Sequence, residues 1–251
     1  MAAITPINSA DLEFDNGSWD ADGFTAQTLS SWQSLAAIID HTLLKPDATH
    51  TQMSTLCAEA LRYRFACAMV NPLWAANAVA QLAGSGIPVG VVIGFPLGAS
   101  LVSTLRQEAA ALTRLGVREL DMVIPIGQLK SGHHHAVQHT IHATATVAHD
   151  NGAILKVILE TCLLTVEEKL RASEIAIQAG ADFLKTSTGF STGGATPTDV
   201  ALLRGVAGAR CGVKASGGIR TLADARSMLE AGANRVGASS SVAIVRELGA
   251  E

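Results

Sequence analysis

The sequence is poor in charged and aromatic residues. Of its 251 residues, 16% are charged and 4% are aromatic, whereas 48% are hydrophobic, and the formal net charge is −4. This composition allows a large buried core, and the weak negative charge argues against a nucleic-acid partner. The sequence contains no run of about 18 apolar residues, so we expect no membrane-spanning helix and no membrane partner.

Basic residues are absent from the first part of the sequence. Residues 1–44 contain six acidic residues and no Lys or Arg, and they lack the basic start and apolar run of a secretory signal. The cysteines form no C-x-x-C motif, which is typical of reduced thiols in a chain of this size, and they are Cys57, Cys67, Cys162 and Cys211. We therefore expect a cytoplasmic protein.

The polar start is predicted to lie outside the folded domain. We interpret residues 1–29 as an acidic, loosely ordered N-terminal arm, in which Trp19 and Phe24 could dock on the domain or on a neighbouring subunit. The segment "LSSWQSLAAI" then predicts a helix with one of its first two serines near the N-cap. Residues 30–251 are expected to form a single domain.

From residue 38 onward, short apolar runs alternate with longer amphipathic segments. Near-continuous apolar runs of this length indicate strands of a parallel sheet that is covered on both faces. The segments between them, such as "TQMSTLCAEALRY" and "VEEKLRASEIAIQAG", indicate helices. The eight candidate strands are "AIIDH", "FACAMVN", "PVGVVIGF", "ELDMVIP", "AILKVILE", "DFLKTS", "GVKAS" and "NRVGAS".

A polar residue or a glycine recurs where each apolar run stops, at intervals of 23 to 39 residues. This interval fits a strand–loop–helix unit, and eight such units fit a closed (β/α)8 barrel of about 250 residues. A doubly wound open sheet is the alternative, but it needs a glycine fingerprint after its first strand, which this sequence lacks. We therefore predict a (β/α)8 TIM barrel with an N-terminal extension and helix.

Five charged residues are predicted to meet at the carboxyl ends of the barrel strands, where the active sites of such barrels lie. They are Asp40, Asp121, Lys156, Lys185 and Lys214. Lysines are rarely buried, so three of them in an apolar cup need an explanation. Structural ion pairs between the strands are one explanation. Chemistry based on Lys185 and Lys214, which lie on adjacent predicted strands, is the other.

Two ammonium groups that are held close together repel each other, so one of them loses its proton more easily. The ordinary pKa of a lysine is about 10.4, and lowering it by about three, at a cost of roughly 4 kcal/mol, leaves about half of the amine neutral at pH 7. A neutral amine in a dry pocket can attack a carbonyl and form a Schiff base. We interpret Lys185 as this nucleophile, because its apolar strand runs directly into a hydroxyl-rich turn.

Three turns rich in glycine and hydroxyl groups follow the last three predicted strands. They are "TSTGFSTGGAT", "ASGGIRT" and "GASSS". Exposed backbone N–H groups and hydroxyls of this kind bind phosphate, and barrels often place phosphate at this position. Beside a candidate amine nucleophile, the three turns favour a phosphorylated carbonyl compound as the substrate.

Seven segments resemble the deoxyribose-phosphate aldolase family, in order, across about residues 38–245. They are "IDHTLLKPDAT", "VGVVIGFPLGA", "ELDMVIPIGQLKSG", "LKVILET", "GADFLKTSTGFSTGGAT", "GVKASGGIRT" and "VGASS". The resemblance implies a class I aldolase without a metal or other cofactor. Such an enzyme reversibly splits 2-deoxy-D-ribose 5-phosphate into acetaldehyde and D-glyceraldehyde 3-phosphate. We expect a homo-oligomer, either a dimer or a tetramer.

The resemblance also implies roles for individual residues. Lys185 matches the Schiff-base lysine, and Lys214 matches the lysine that lowers its pKa. Asp121 resembles the carboxylate of the proton relay, and Lys156 matches a lysine that pairs with this acid. Residues at the positions that contact the sugar hydroxyls are Asp40 and Thr42, and those at the positions of the phosphate cradle are Gly189, Gly217, Gly218, Gly237, Ser239 and Ser240.

Three features depart from the family pattern. Met69 stands where a cysteine is frequent, so we expect no inhibition by thiol trapping at that site. Phe190 stands where some members have a lysine, which leaves phosphate binding more dependent on backbone and hydroxyl groups. The sequence ends without the C-terminal tyrosine that some members fold over the substrate, so reprotonation of the enamine is expected to rely on water and Asp121.

Three other functions fit parts of the sequence. His135, His139 and His142 fall on one face of a predicted helix and could hold a divalent metal, but an exposed helix face explains them more simply. Another class I aldolase that acts on a longer phosphorylated sugar is an alternative, as is a non-catalytic barrel that binds phosphosugars. The non-catalytic barrel has no need for both Lys185 and Lys214.

Overall fold

The eight apolar segments form parallel strands that close into a barrel in the computed structural model, which describes residues 19–251. Each strand pairs with the next along the chain, and the last pairs with the first, which confirms the predicted (β/α)8 barrel. The strands are β1 (Ile39–Leu43), β2 (Cys67–Val70), β3 (Val89–Ile93), β4 (Glu119–Val123), β5 (Ile154–Ile158), β6 (Phe183–Lys185), β7 (Gly212–Ser216) and β8 (Arg235–Ala238).

Helices connect the strands and cover the outside of the barrel. Several begin at a hydroxyl residue that accepts a hydrogen bond from the first turn, as Thr49, Thr165 and Thr221 do in three complete capping boxes. The helices are α1 (Ala21–Thr28), α2 (Trp32–Ala36), α3 (His50–Tyr63), α4 (Ala75–Leu82), α5 (Val102–Arg114), α6 (Ile126–Lys130), α7 (His134–Asp150), α8 (Val166–Gln178), α9 (Pro197–Ala207), α10 (Leu222–Glu230) and α11 (Ser241–Glu247).

The N-terminal residues differ in part from the sequence-based interpretation. The helix predicted in "LSSWQSLAAI" is α2, with Ser31 at its N-cap. Residues 21–28, which were assigned to a loose arm, form α1 instead, capped by Asp20 and in contact with α10. Trp19 places its ring 4.1 Å from the Arg204 guanidinium carbon, so this end of the segment docks on the barrel. Residues 1–18 of the predicted arm lie outside the described residues.

Side chains of each strand alternate between the helix layer and the barrel interior. On β4, Leu120 and Met122 belong to the apolar core between strands and helices, whereas Glu119 and Asp121 bond to lysines of other strands. This alternation places charged groups inside the barrel. None of the helices in residues 19–251 is long and apolar enough to cross a membrane.

Candidate active site

Lys185 and Lys214 lie side by side inside the barrel. Lys185 is the last residue of β6, Lys214 is the third residue of β7, and the two are Cα partners in the parallel register. Both side chains are almost completely buried, at 3% and 1% exposure. The predicted proximity of the two lysines is therefore present.

Asp121 on β4 connects the lysines. Its Oδ2 accepts hydrogen bonds from the Nζ atoms of Lys185 and Lys214, each at 2.7 Å, and its Oδ1 accepts one from Lys156 at 2.9 Å. Burial alone would raise the pKa of Asp121, but the three ammonium groups outweigh burial and hold it well below its ordinary value. Asp121 is a carboxylate that orients three amines.

The pKa of Lys185 is lowered from 10.5 to about 8. Burial is the largest cause, the Asp121 carboxylate raises the pKa, and the Lys214 ammonium lowers it again. Repulsion by Lys214 was the cause expected from the sequence, whereas removal from water has the larger effect on the pKa of Lys185 in the structure. With this pKa, about one amine in ten is neutral at pH 7, compared with about one in 2,500 for a free lysine.

Lys156 lies in the same interior and has the opposite shift. It donates hydrogen bonds to Asp121 and Glu119, and its Nζ lies 3.6 Å from Asp40 Oδ2. Burial lowers its pKa, but these three carboxylates outweigh burial and hold the pKa well above the ordinary value. Lys156 therefore remains a permanent ammonium, and the geometry matches the predicted pairing with Asp121.

Asp40 lies beneath the site and is not among the described residues that line the cavity. Its Oδ2 accepts a hydrogen bond from Lys214, and its Oδ1 accepts one from Arg235 at 2.8 Å. Burial raises the pKa of Asp40, but Lys214, Lys156 and Arg235 outweigh burial and lower it to about 2. Contact with sugar hydroxyls was predicted for Asp40, and the structure directs both of its oxygens to protein cations instead.

A cavity of about 400 Å³ opens above Lys185 and Lys214. Six of the predicted binding residues line it, and Ser240 lies one residue beyond them, directly before α11. Two cations that the role assignment above did not include, Lys45 and Arg220, also line the cavity. The six are Thr42, Gly189, Gly217, Gly218, Gly237 and Ser239.

The glycines at the mouth have steric reasons for their positions. Gly217 and Gly218 both have positive φ, at 88° and 84°, a conformation that side chains disfavour. A Cβ on Gly237 would lie 3.0 Å from Cε of Lys214. A glycine on β8 therefore leaves room for the Lys214 side chain.

Two charged residues of the barrel interior were not predicted from the sequence as part of the site. Glu119 accepts a hydrogen bond from Lys156, and Arg235 lies between Asp40 and Glu119, with a 3.5 Å contact to Glu119 Oε1. A signal for both exists in the sequence. Glu119 precedes Asp121 by two residues and Arg235 precedes Gly237 by two, so each shares the inward face of its strand.

Glu160 supports the turn that follows Lys185. It has a left-handed backbone, with φ of 58°, and its carboxylate accepts hydrogen bonds from the hydroxyl and the backbone N–H of Thr188. These bonds tie the loop after β5 to the loop after β6. They fix the entry to the cavity next to Gly189.

The histidines on α7 do not converge on a common point. His135, His139 and His142 line a shallow depression on the exposed face of the helix. Within residues 19–251, the group of side chains close enough to share a metal ion is instead Asp40, Cys67 and Glu119. The carboxylates of this group are bound by lysines and Arg235, so the donor set suits protein cations rather than a metal ion.

Comparisons with known proteins agree with the geometry. Residues 34–247 match the model of a family described as DeoC/LacD family aldolase. A deoxyribose-phosphate aldolase from Geobacillus sp. (strain WCH70) is 52% identical over 212 residues, which cover 84% of this chain and 95% of that protein. One from Listeria monocytogenes serovar 1/2a is 53% identical, with the same coverage.

A solved structure has the same fold. The tetrameric deoxyribose phosphate aldolase from Aeropyrum pernix superposes with a TM-score of 0.84 at 35% sequence identity. The match covers 91% of this chain and 96% of that one. The likeness therefore extends over the whole barrel.

Proposed function

This chain belongs to the DeoC/LacD family of aldolases, and we propose that it reversibly cleaves 2-deoxy-D-ribose 5-phosphate to acetaldehyde and D-glyceraldehyde 3-phosphate through a Schiff base on Lys185. The observation that carries the proposal is a buried lysine with a pKa of about 8 at the base of a glycine-lined cavity. A neutral amine in such a place is a nucleophile for a carbonyl carbon.

The Lys185 amine adds to C1 of the open-chain sugar and forms a carbinolamine. Loss of water gives the iminium ion, whose positive nitrogen withdraws electrons from C2. Removal of the proton from the C3 hydroxyl then breaks the C2–C3 bond, releases D-glyceraldehyde 3-phosphate and leaves an enamine on Lys185. Protonation of C2 and addition of water release acetaldehyde and restore the amine.

Asp121 and Lys214 are the proposed proton carriers for these steps. Asp121 Oδ2 lies 2.7 Å from both Nζ atoms, so a proton from Lys214 can reach the carbinolamine oxygen through Asp121 or a water beside it. Asp40 is reassigned from substrate binding to holding Lys214, to which it is hydrogen bonded. Lys156 keeps Asp121 oriented through Oδ1.

The phosphate is proposed to bind where the loops after β6, β7 and β8 meet. Gly189, Gly217, Gly218 and Ser239 line this part of the cavity, and backbone N–H groups in such turns suit an anion. Arg220 lines the same part and adds a positive charge. Thr42 is the remaining candidate for a sugar hydroxyl.

Reductive trapping tests the covalent step. Acetaldehyde and sodium borohydride should add an ethyl group to Lys185, which peptide mass mapping would identify. The matched control is Lys185→Met, in which the adduct should disappear. An adduct on Lys214 in the unchanged protein would overturn the assignment.

We further propose that the chain assembles as a dimer or a tetramer in the cytoplasm. The relative from Aeropyrum pernix is described as tetrameric, which supports assembly but not the number of subunits here. Sedimentation equilibrium would measure the mass of the assembly against the 25.9 kDa of one chain. A single species at the mass of one chain would contradict the proposal.

A further inference from the structure

Seven charged side chains form one continuous network inside the barrel. Each is at most 16% exposed. Arg235 joins Asp40 to Glu119 at the base, and Asp121 joins the three lysines at the top. The members are Asp40, Glu119, Asp121, Lys156, Lys185, Lys214 and Arg235.

Among residues 19–251, this network contains four basic groups and three carboxylates. If all seven are ionised, the network carries one positive charge in excess. A net charge enclosed in a low-dielectric interior is costly, and loss of one proton removes it. The network is therefore neutral when one of its basic groups is neutral.

The contacts identify the group that loses its proton. Within residues 19–251, Lys185 contacts one carboxylate of the network, Lys214 contacts two and Lys156 contacts three. Arg235 contacts two carboxylates and is a guanidinium, which does not deprotonate in proteins. Lys185 has the least support for a positive charge.

We propose that Arg235 and Glu119 are positioning residues for the reaction, because the charges they fix at the base of the barrel decide whether Lys185 carries a proton. Neither residue is among the described residues that line the cavity, so neither is expected to touch the substrate. The inference rests on the proposed function in one respect, since it concerns the same amine. With Arg235, the network has one cation more than it has carboxylates, and Lys185 is the extra cation. The negative charge of Glu119 keeps this excess at one.

Three titratable groups of the neighbouring elements lie outside this balance, and the cavity-lining Lys45 and Arg220 are present in every variant of the test, so they do not alter the differences between variants. On β2, burial raises the pKa of the Cys67 thiol well above its ordinary value, so this group stays neutral. Glu160, after β5, is bound by the hydroxyl and N–H of Thr188 rather than by a network cation. His41 on β1 bonds to Glu59 of α3, on the side of the strand away from the network.

The test titrates the Lys185 amine directly. Trace acetic anhydride acetylates neutral amines, and peptide mass spectrometry follows the extent at Lys185 as the pH changes. Arg235→Met should move the midpoint about one pH unit alkaline, because it removes a positive charge from the network. Arg235→Lys keeps the positive charge, so the midpoint should stay the same. If Arg235 acted through its shape alone, Arg235→Lys would also move the midpoint.

The opposite substitution gives the opposite sign. Glu119→Gln removes a negative charge, so the midpoint should move about one pH unit acidic. The double variant Arg235→Met/Glu119→Gln loses one charge of each sign, so its network is again neutral when Lys185 is uncharged. Its midpoint should therefore return to that of the unchanged protein. If circular dichroism shows that Arg235→Met does not fold, Glu119→Gln and the double variant carry the test.

The outcomes separate the two proposals. Coinciding midpoints in all folded variants, together with acetaldehyde trapping on Lys185 in the unchanged protein, would overturn the charge-balance inference and leave the aldolase mechanism intact. Absence of trapping, together with the expected midpoints, would overturn the Schiff-base mechanism and leave the electrostatics intact. Opposite shifts with recovery in the double variant would support the inference.

Discussion

Lys156 and Lys185 lie on adjacent strands of one barrel and are equally hidden from water, but their pKa values move in opposite directions. Lys156 contacts three carboxylates and keeps its proton, whereas Lys185 shares Asp121 with two other ammonium groups and has a pKa of about 8. Burial lowers the pKa of both. The number of carboxylates in contact with each lysine accounts for the opposite directions of the two pKa shifts.

Substitution of either lysine is expected to give the largest effects. The two substitutions should change different properties of the protein. Lys185→Met should abolish measurable turnover, because it removes the amine that is proposed to form the Schiff base. Lys156→Met should instead lower the free energy of unfolding by about 3–5 kcal/mol, since it takes one cationic partner from each of three buried carboxylates. Urea unfolding and aldolase rates would measure both. Equal loss of stability in the two variants would contradict the different roles assigned to Lys156 and Lys185.

The pH dependence of stability should also distinguish the two lysines. The folded-state pKa of Lys185 lies below its unfolded value of 10.5, so folding expels a proton between about pH 8 and pH 10.5. The destabilising contribution of Lys185 is present in full below pH 8 and fades as the pH rises to 10.5. Lys185→Met should remove this contribution, so stability measured below pH 8 should not fall.

A substitution at the mouth of the cavity should weaken substrate binding and leave both lysines unaffected. Ser239→Asp places a carboxylate beside the proposed phosphate position, and repulsion there should cost several kcal/mol of binding, on the order of 2–4. We expect a large rise in KM for deoxyribose 5-phosphate and a much smaller effect on unphosphorylated deoxyribose. Acetaldehyde trapping on Lys185 should persist. Equal effects on both sugars would place the phosphate elsewhere.

Lys214→Leu removes one of the two ammonium groups that share Asp121 with Lys185. The Lys214 ammonium lowers the pKa of Lys185, so its loss should move the pH–rate profile alkaline and reduce turnover at pH 7 by about tenfold or more. Circular dichroism would verify that the fold survives. Full activity with an unmoved profile would remove Lys214 from the mechanism.

The smallest expected effect is none at all. Activity should be indifferent to EDTA, because the iminium ion activates the substrate without a Lewis acid. Assays before and after dialysis against the chelator would measure this. Loss of activity that zinc restores would revive His135, His139 and His142 as a metal site.

Much of the fold follows from local sequence pattern, and the site follows only in part. Seven of the eight predicted strand segments contain a whole strand of the barrel, and the first covers the first three residues of β1, since continuous apolar runs separated by helical periodicity leave few alternatives. Lys185, Lys214, Asp121 and Lys156 meet as the motifs predicted. The contacts of Asp40 with Lys214 and Arg235 could not be predicted, because the stagger of strands around a barrel is not visible in any single strand.

Helix α1 could not be read locally for a different reason. Its eight residues include four polar side chains and a glycine, and the contacts that fix the segment come from elsewhere in the chain. Arg204, held by the carbonyls of Gly208, Cys211 and Gly232, provides the surface on which Trp19 rests. Such tertiary contacts override a weak local preference.

The paired positions of the charged residues also bear on how the chain folds. Lys185 is aligned with Lys214 across β6 and β7, and Asp121 with Lys156 across β4 and β5. A slip of β6 by one residue would turn Lys185 outward into the apolar helix layer and bring Leu184 inside among the carboxylates. An ammonium without a partner in that layer costs several kcal/mol, so misaligned barrels are selected against while the sheet closes. The residues proposed to perform the chemistry thereby also favour the correct alignment of the paired strands.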